Sequence, residues 1–215
     1  DCALAMALLN KVMADASPSD PAASARLPRD FLRSAAGLQF SVVQTGGLGL
    51  SGSRGRAFTI ARLGRTGGLS AWSGPAYATC HAAGLGLTLG FDTVSTVTVL
   101  GTPAALAAAA SAGPRGGLEV DLIAGRDRAV AQSEADGDPV VPFSVAGGAM
   151  LDVSAKVGAF LPASKKNAAV YRRPVRPGDI LAGHVDHPPE FEPLYELMSA
   201  LAGEAEEIVP VRRGR

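Results

Sequence analysis

Two histidines, His184 and His187, have the spacing His-x-x-His in a segment that two prolines follow, and they are the first candidates for metal chemistry. A zinc site needs three or four converging ligands with recognisable spacing. The third histidine, His81, lies next to Cys80, far from this pair in the sequence, and Cys2 is equally isolated. We therefore predict no metal site and interpret the histidines as surface-loop residues.

The segment Gly47–Gly52 satisfies the dinucleotide-binding pattern G-x-G-x-x-G. That chemistry requires a helix directly after the glycines and an acidic residue about twenty positions later. Here Arg54–Ile60 is typical of a strand, and no acid occurs before Asp92. We predict no bound cofactor, and we expect the glycines to permit a tight turn and bends in an antiparallel sheet.

Serine chemistry has equally little support. Gly49-Leu50-Ser51 matches the first three residues of a G-x-S-x-G nucleophile elbow, but its fifth residue, a glycine, is replaced here by Ser53. The sequence therefore favours a protein that is not an enzyme.

The basic residues form two concentrations that could bind anions. Residues 31–91 hold five arginines and no acid, and a second concentration lies between Lys165 and Arg176. Guanidinium groups bind phosphate oxygens through paired hydrogen bonds. The alternative is that these charges solvate the surface or pair with the sixteen acids of residues 92–215. The predicted lipid-headgroup or actin-binding residues are Arg54, Arg56, Arg62, Lys165, Lys166, Arg172 and Arg173.

Whole-chain properties exclude several classes of protein. The 215 residues, 47% of them hydrophobic, fit one domain with a full core. The formal net charge of zero argues against nucleic acid as a partner, since phosphate-driven binding needs surplus bases. Two cysteines make no disulfide framework and no basic, apolar leader opens the chain, so we expect a cytoplasmic setting.

Two uncharged stretches, 66–91 and 93–114, are long enough to raise the question of a membrane span. Their glycine, serine, threonine and proline content instead favours buried strands and a short helix. We therefore predict no transmembrane segment.

The stretch from Leu38 to Gly101 predicts the centre of the fold. Its β-branched and aromatic residues, punctuated by glycine, indicate successive strands separated by turns. Further strands are expected at Leu118–Ala124 and Val140–Ser154, with an acidic loop over Arg126–Pro139 between them. The predicted fold class is α+β, a bent antiparallel sheet with N-terminal, central and C-terminal helices; closure of the sheet into a barrel is left open.

Helices are expected at three places. Residues 2–14 place Leu4, Leu8, Leu9 and Val12 on one face, and residues 192–201 repeat such a pattern. A short alanine-rich helix is predicted at 103–111, with Thr102 as its N-cap. The segment 15–28 is predicted to be a linker, preceding a short helix or turn near Arg29. We expect one domain over residues 1–201 and a flexible tail over 202–215.

A series of short motifs occurs in order over residues 1–201. They are Asp1-Cys2, Leu27-Pro28, Ala35–Leu38, Ser51–Gly55, Ile60–Arg62, Ser70–Pro75, Ala83–Gly86, Asn167–Tyr171, Ile180–Gly183, Pro188-Pro189 and Leu194-Tyr195. Each motif is weak alone, but together and in this order they resemble the SYLF domain family.

This resemblance implies a non-enzymatic module that binds phosphoinositide-containing membranes and, as in fungal endocytic members, actin filaments. It implies a peripheral location at membranes or cortical actin, with a role in membrane trafficking or actin organisation. The alternative is a module that binds actin filaments without direct lipid recognition. The basic residues would serve either partner, so the sequence leaves both open.

Overall fold

The computed structural model describes residues 1–13, 27–66, 69–111, 113–124 and 140–204. The predicted linker over 15–28 and the loop over Arg126–Pro139 lie almost wholly outside these residues. A short 3₁₀ turn, Pro189–Phe191, precedes the last helix. The helices and strands, in chain order, are α1 (Cys2–Met13), α2 (Arg29–Ser34), β1 (Gly37–Thr66), β2 (Leu69–Trp72), β3 (Ala76–Leu100), α3 (Pro103–Ala110), β4 (Gly113–Ala124), β5 (Val140–Pro162), α4 (Ser164–Tyr171), α5 (Pro177–Leu181) and α6 (Glu192–Ala202).

The strands form an antiparallel sheet in the order β2-β1-β3-β5-β4, with helices at both ends of the chain. The predicted α+β class is therefore confirmed. The described strands do not close into a barrel, because β2 and β4 are the two ends of this order. Pairing between β3 and β5 is continuous from Ala78 opposite Pro162 to Leu100 opposite Val140.

The expectation of several short strands separated by turns is wrong for the glycine-rich segment. Residues 37–66 are one strand of 30 residues, whose register against β3 shifts between Leu48 and Leu50. Bulges of this kind bend a strand without ending its pairing. The glycines of Gly47–Gly52 therefore permit a bend, as predicted, but no hairpin loop between separate strands.

The two halves of β1 lie against each other on either side of this bend. The Arg62 amide donates to the Ala36 carbonyl at 2.8 Å, and the Gln39 side chain donates to the Thr59 hydroxyl at 3.1 Å. Nearer the bend, the hydroxyls of Thr45 and Ser53 are 2.8 Å apart. The sheet is thus strongly bent, and Leu48–Leu50 lies at its tip.

The main core lies at the opposite end of the sheet from this tip. Phe58 stacks on Phe40 at 5.0 Å between ring centroids and meets the edge of Phe191 at 5.4 Å. Helices α1, α2 and α6 close this core. Their buried side chains recur every three or four residues along the helix, as expected for amphipathic helices. Their fully or largely buried members are Ala5, Leu8, Leu9, Val12, Leu32, Leu194, Tyr195, Met198 and Ala202.

Most predicted helices are confirmed, with one error in the buried face of α1. Leu4 is 40% exposed and Ala5 is fully buried in its place. In α3, the Thr102 hydroxyl accepts the Ala105 amide at 3.0 Å, as predicted for an N-cap. At the other end of the chain, Ala202 and Glu204 are buried, so the folded part extends to Glu204; residues 205–215 lie outside the described chain.

Candidate anion-binding site

Helix α4 carries two of the predicted bases and is fixed to the start of β3. The fully buried Asn167 accepts the Tyr77 amide at 2.9 Å and donates to the Tyr77 carbonyl at 3.1 Å. Tyr171 donates its hydroxyl proton to the Pro75 carbonyl at 2.9 Å. These side chains hold one face of α4 against the sheet, which leaves Lys165 on the exposed face.

The chain after α4 turns back and forms a cleft with it. Arg172 ends the helix in the left-handed conformation, with φ of 55°. The next residues lead into α5, so that Lys165, Arg173 and Arg176 line one open cleft of about 670 Å³. Asp179 and His184 line it too, with 3.8 Å between the Asp179 carboxylate and His184 Nδ1. We call this space the basic cleft.

The basic cleft holds more positive than negative charge. Its three bases face a single carboxylate, that of Asp179, and Lys165, Arg173 and Arg176 are all exposed. Among the described residues, Lys165 and Arg173 have no carboxylate within ion-pair distance. Cationic side chains that are exposed and have no carboxylate nearby are available to bind an external anion.

A second group of bases lies beside α1. Asp1 joins Lys166 and Arg56, with 2.5 Å from its carboxylate to Lys166 Nζ and 3.9 Å to Arg56 Nε. The Lys166 ammonium also lies 4.0 Å from the centroid of the Tyr77 ring. Partial burial, and then the positive charge of Arg56, lower the pKa of Lys166 from its usual 10.5. Two like charges therefore meet here with one carboxylate between them.

Arg54 lies two residues before Arg56 on the same strand, so both side chains project from the same face of β1. Both are exposed. Arg54 lines a different open cleft of about 640 Å³, together with Gln44, His81 and Phe91. The structure thus brings Arg54 towards the bend of the sheet, and Arg56 towards Lys166.

Arg62 differs from the other predicted bases because its guanidinium is engaged inside the protein. It donates to the Leu32 carbonyl at 2.6 Å, to the Ala35 carbonyl at 3.0 Å, and to the Ser70 hydroxyl. Its charge lies 3.1 Å from the nearly inaccessible carboxylate of Glu204. Arg62 therefore holds the fold together and does not join the exposed bases.

Arg176 lies in the second basic concentration of the sequence but is not one of the predicted site residues. Its signal was the spacing: Arg173 and Arg176 flank Pro174 and Val175, an extended segment before a proline-initiated helix. Arg176 has φ of −85° and ψ of 145°, close to polyproline II, in which three residues make one turn, so two bases three residues apart can point to one side. Arg172, also exposed, completes the predicted set outside the cleft.

The two loop histidines do not share a partner. His187 Nε2 lies 2.8 Å from the Glu192 carboxylate, whereas His184 faces Asp179. In the described ranges, no group of three histidine, cysteine or acidic side chains is arranged to hold a metal ion. The longest helix in that same part of the chain has twelve residues, and none is long and apolar enough to cross a membrane.

Comparison with known proteins identifies a family. Residues 81–201 match the model of the Ysc84 family, described as Las17-binding protein actin regulators. The match covers more than half of the chain, so this protein belongs to that family, which is the SYLF family of the sequence resemblance. No curated protein and no solved structure matches significantly. The earlier motifs, in residues 1–80, lie outside the matched range.

Proposed function

We propose that this member of an actin-regulator family binds the phosphorylated headgroups of anionic lipids, phosphoinositides above all, in the basic cleft. The observation that supports the proposal is the convergence of Lys165, Arg173 and Arg176 on one open cleft. Membrane binding of this kind is non-enzymatic, and it would place the protein peripherally at membranes or at cortical actin.

The chemistry of the basic cleft suits a phosphorylated headgroup. The two guanidinium groups can each bind two phosphate oxygens, while the Lys165 ammonium acts as a mobile point charge. The volume of about 670 Å³ lies within the range of small-molecule sites, roughly 300–1,000 Å³. Asp179 disfavours binding of an anion at its own end, so the phosphates are expected nearest Arg173 and Lys165.

The remaining exposed bases add a general attraction to anionic membranes. Arg54, Arg56, Lys166 and Arg172 lie outside the basic cleft, and each exposed base near such a surface contributes about 1 kcal/mol. Asp1 offsets part of this contribution for Arg56 and Lys166. Arg62 contributes nothing to it, because its guanidinium is bound to Glu204 and to main-chain carbonyls.

The second candidate is direct binding to actin filaments, which the family description supports. The same exposed bases could meet an acidic protein surface without any lipid. The two candidates differ in geometry: a filament needs an extended charged surface, whereas a single headgroup needs the cleft.

The test compares pelleting with phosphoinositide vesicles in the absence of actin and pelleting with filaments in the absence of lipid. The variant Lys165→Glu with Arg173→Glu reverses two charges of the basic cleft. We expect it to lose vesicle pelleting at low salt. The matched control is Arg29→Glu with Arg33→Glu, which makes the same charge change on exposed residues of α2 that do not line the cleft. The control variant should pellet with vesicles to nearly the same extent as the wild-type protein.

Equal losses in both double variants would reduce the proposal to non-specific charge attraction and contradict a cleft site. Pelleting with filaments alone would instead favour the second candidate. A third variant, Arg54→Glu with Arg56→Glu, separates the surface contribution. It should weaken vesicle binding at low salt, and unchanged binding would remove these two arginines from the membrane-facing surface.

A further inference from the structure

The bend of the sheet carries unusually exposed apolar side chains. Leu48 is 85% exposed, Leu50 65% and Phe91 57%, whereas every other exposed large apolar residue among those described is 45% exposed or less. We call these three residues the apolar tip. Surface exposure on this scale costs free energy in water, roughly 1.5–3 kcal/mol for each side chain that could be buried.

The three residues lie at or near the bend of the sheet, away from the main core. Phe91 pairs with Gly46, and its ring lies 3.2 Å from where a Cβ of Gly46 would be. Leu48 follows Gly46 by two residues and projects from the same face of the strand. Among the described residues, the core that the helices close contains Phe40 and Phe58, on the two halves of β1, and none of these three side chains.

The polar groups around the apolar tip favour an anionic partner. Arg54 and His81 share an open cleft with Phe91. Of the side chains described at residues 44–54, 81–84 and 90–93, Asp92 is the one carboxylate, and it is fully buried. Among these described side chains, the surface is therefore apolar at Leu48, Leu50 and Phe91 and cationic just behind them, at Arg54.

From this arrangement we infer that the apolar tip inserts into the interfacial region of an anionic lipid bilayer. The inference rests on the proposed function and extends it with a second, hydrophobic contact. A protruding end with apolar residues ahead of a base matches the layering of a membrane surface, in which acyl chains lie below phosphates. A groove-binding protein partner would instead require a concave or flat apolar surface.

The dimensions of the strand agree with this layering. Arg54 follows Leu50 by four residues, or roughly 13 Å at about 3.3 Å per residue of strand. Interfacial elements bury their apolar side chains about 5–10 Å into the boundary between headgroups and acyl chains. Insertion of Leu50 to that depth places Arg54 among the phosphates. Lys165 lies further from the tip, since β5 ends opposite Ala78.

A fluorescent probe at the apolar tip tests insertion directly. In a Cys2→Ser background, where Cys80 is buried, Leu48→Cys is labelled with an environment-sensitive fluorophore. Phosphoinositide vesicles should shift its emission to the blue, and quenchers at a shallow acyl position should reduce it. The control is Leu69→Cys, 44% exposed on β2, whose probe should not respond.

A matched pair of variants measures the contribution to affinity. Leu48→Ser with Leu50→Ser should lower vesicle partitioning about tenfold or more, since two leucines no longer leave water. The same pair should leave binding of a water-soluble, short-chain phosphoinositide and the melting temperature unchanged. Leu63→Ser with Leu69→Ser, replacing leucines 45% and 44% exposed, serves as control and should partition as the wild type does.

The outcomes separate this inference from the proposed function. Vesicle pelleting with no response of the probe at position 48 would overturn insertion and leave headgroup binding in place. Failure of the wild type to bind vesicles or the short-chain lipid would overturn both. A blue shift that depends on protein concentration without lipid would identify a second copy of this chain as the occupant, and would also contradict insertion.

Discussion

Arg62 and Glu204 form a buried ion pair, with 3.1 Å between guanidinium and carboxylate across 142 positions of sequence. The Glu204 carboxylate also accepts the Ser70 amide at 3.0 Å, and the Arg62 guanidinium lies 4.5 Å from the centroid of the Trp72 ring. Because Arg62 also binds carbonyls at the end of α2, one side chain connects α2, β1, β2 and the residues after α6.

Replacing Glu204 should therefore destabilise the whole domain. Glu204→Ala breaks the ion pair with the largely buried Arg62 guanidinium, and breaking a buried pair from one side typically costs about 3–5 kcal/mol of unfolding free energy. Urea unfolding measures the loss. Glu196→Ala, at an exposed position of α6, is the control and should change stability by about 0.5 kcal/mol or less. Similar unfolding midpoints for the two variants would show that the ion pair has no structural role.

The close contact within β1 predicts a difference between two of its glycines. A Cβ at Gly55 would lie 2.5 Å from the Val42 carbonyl oxygen, so Gly55→Ala must separate the two halves of the strand. A Cβ at Gly52 would meet nothing within 4 Å, so Gly52→Ala is the matched control. We expect Gly55→Ala to lower the melting temperature by several degrees, for an overpacking cost of about 1–3 kcal/mol. Equal melting temperatures would contradict the doubling back of β1.

Asn167 should be necessary for the position of α4. Its side chain bonds both main-chain groups of Tyr77, and the Tyr77 carbonyl also accepts the Ala163 amide at 2.9 Å, so Asn167→Ala removes the Asn167 partner of the buried Tyr77 amide. Such a loss costs about 1–3 kcal/mol. We expect lower stability in urea and faster amide hydrogen exchange within α4. Ala169→Ser, on the exposed face of the same helix, should exchange as the wild type does. Unchanged exchange in Asn167→Ala would mean that other contacts hold the helix.

The tyrosines predict how stability responds to alkaline pH. Burial, and then the charge of Glu190, raise the pKa of Tyr77 to about 12. Burial likewise raises the pKa of Tyr171 and, most strongly, of Tyr195, whose hydroxyl donates to the Ser73 carbonyl at 2.8 Å. An unfolded tyrosine titrates near pH 10, so between about pH 10 and 12 the folded state holds more protons.

The contribution of the protonated tyrosines to the free energy of unfolding is therefore fully present below about pH 10. It is lost as the pH rises towards their folded-state pKa values. We expect the absorbance of tyrosinate at 295 nm to rise together with the loss of circular dichroism. In urea, the same absorbance should titrate near pH 10. Tyrosinate absorbance that appears at pH 10 with native dichroism would contradict the burial of these rings.

Local sequence signals were sufficient for α1, α2, α3 and α6 and for the presence of the sheet, whereas α4 and α5 were not predicted. Thr102 and Pro103 predicted the start of α3, because helix capping depends on residues that are neighbours in the sequence. Leu4 was assigned to the wrong side of α1, since spacing alone does not distinguish the buried face from one rotated by a residue; Ala5 occupies the contact instead.

Features that depend on distant residues were not predictable from local patterns. Gly47–Gly52 resembles a turn, but pairing with β3 continues the strand through it. Arg62 resembles the other arginines, and contacts with residues distant in the sequence, among them Glu204, Leu32 and Ala35, make it internal. Leu48 and Leu50 resemble core residues, and their exposure follows from the bend that places them beyond the helices.

The most direct test of the account is a titration of ¹⁵N-labelled protein with a water-soluble, short-chain phosphoinositide, followed by NMR. Amide shifts at Lys165, Arg173 and Arg176 that saturate with one ligand, and that Lys165→Glu with Arg173→Glu abolishes, are the predicted result. Shifts confined to other surfaces, or none at millimolar lipid, would contradict a headgroup site in the basic cleft.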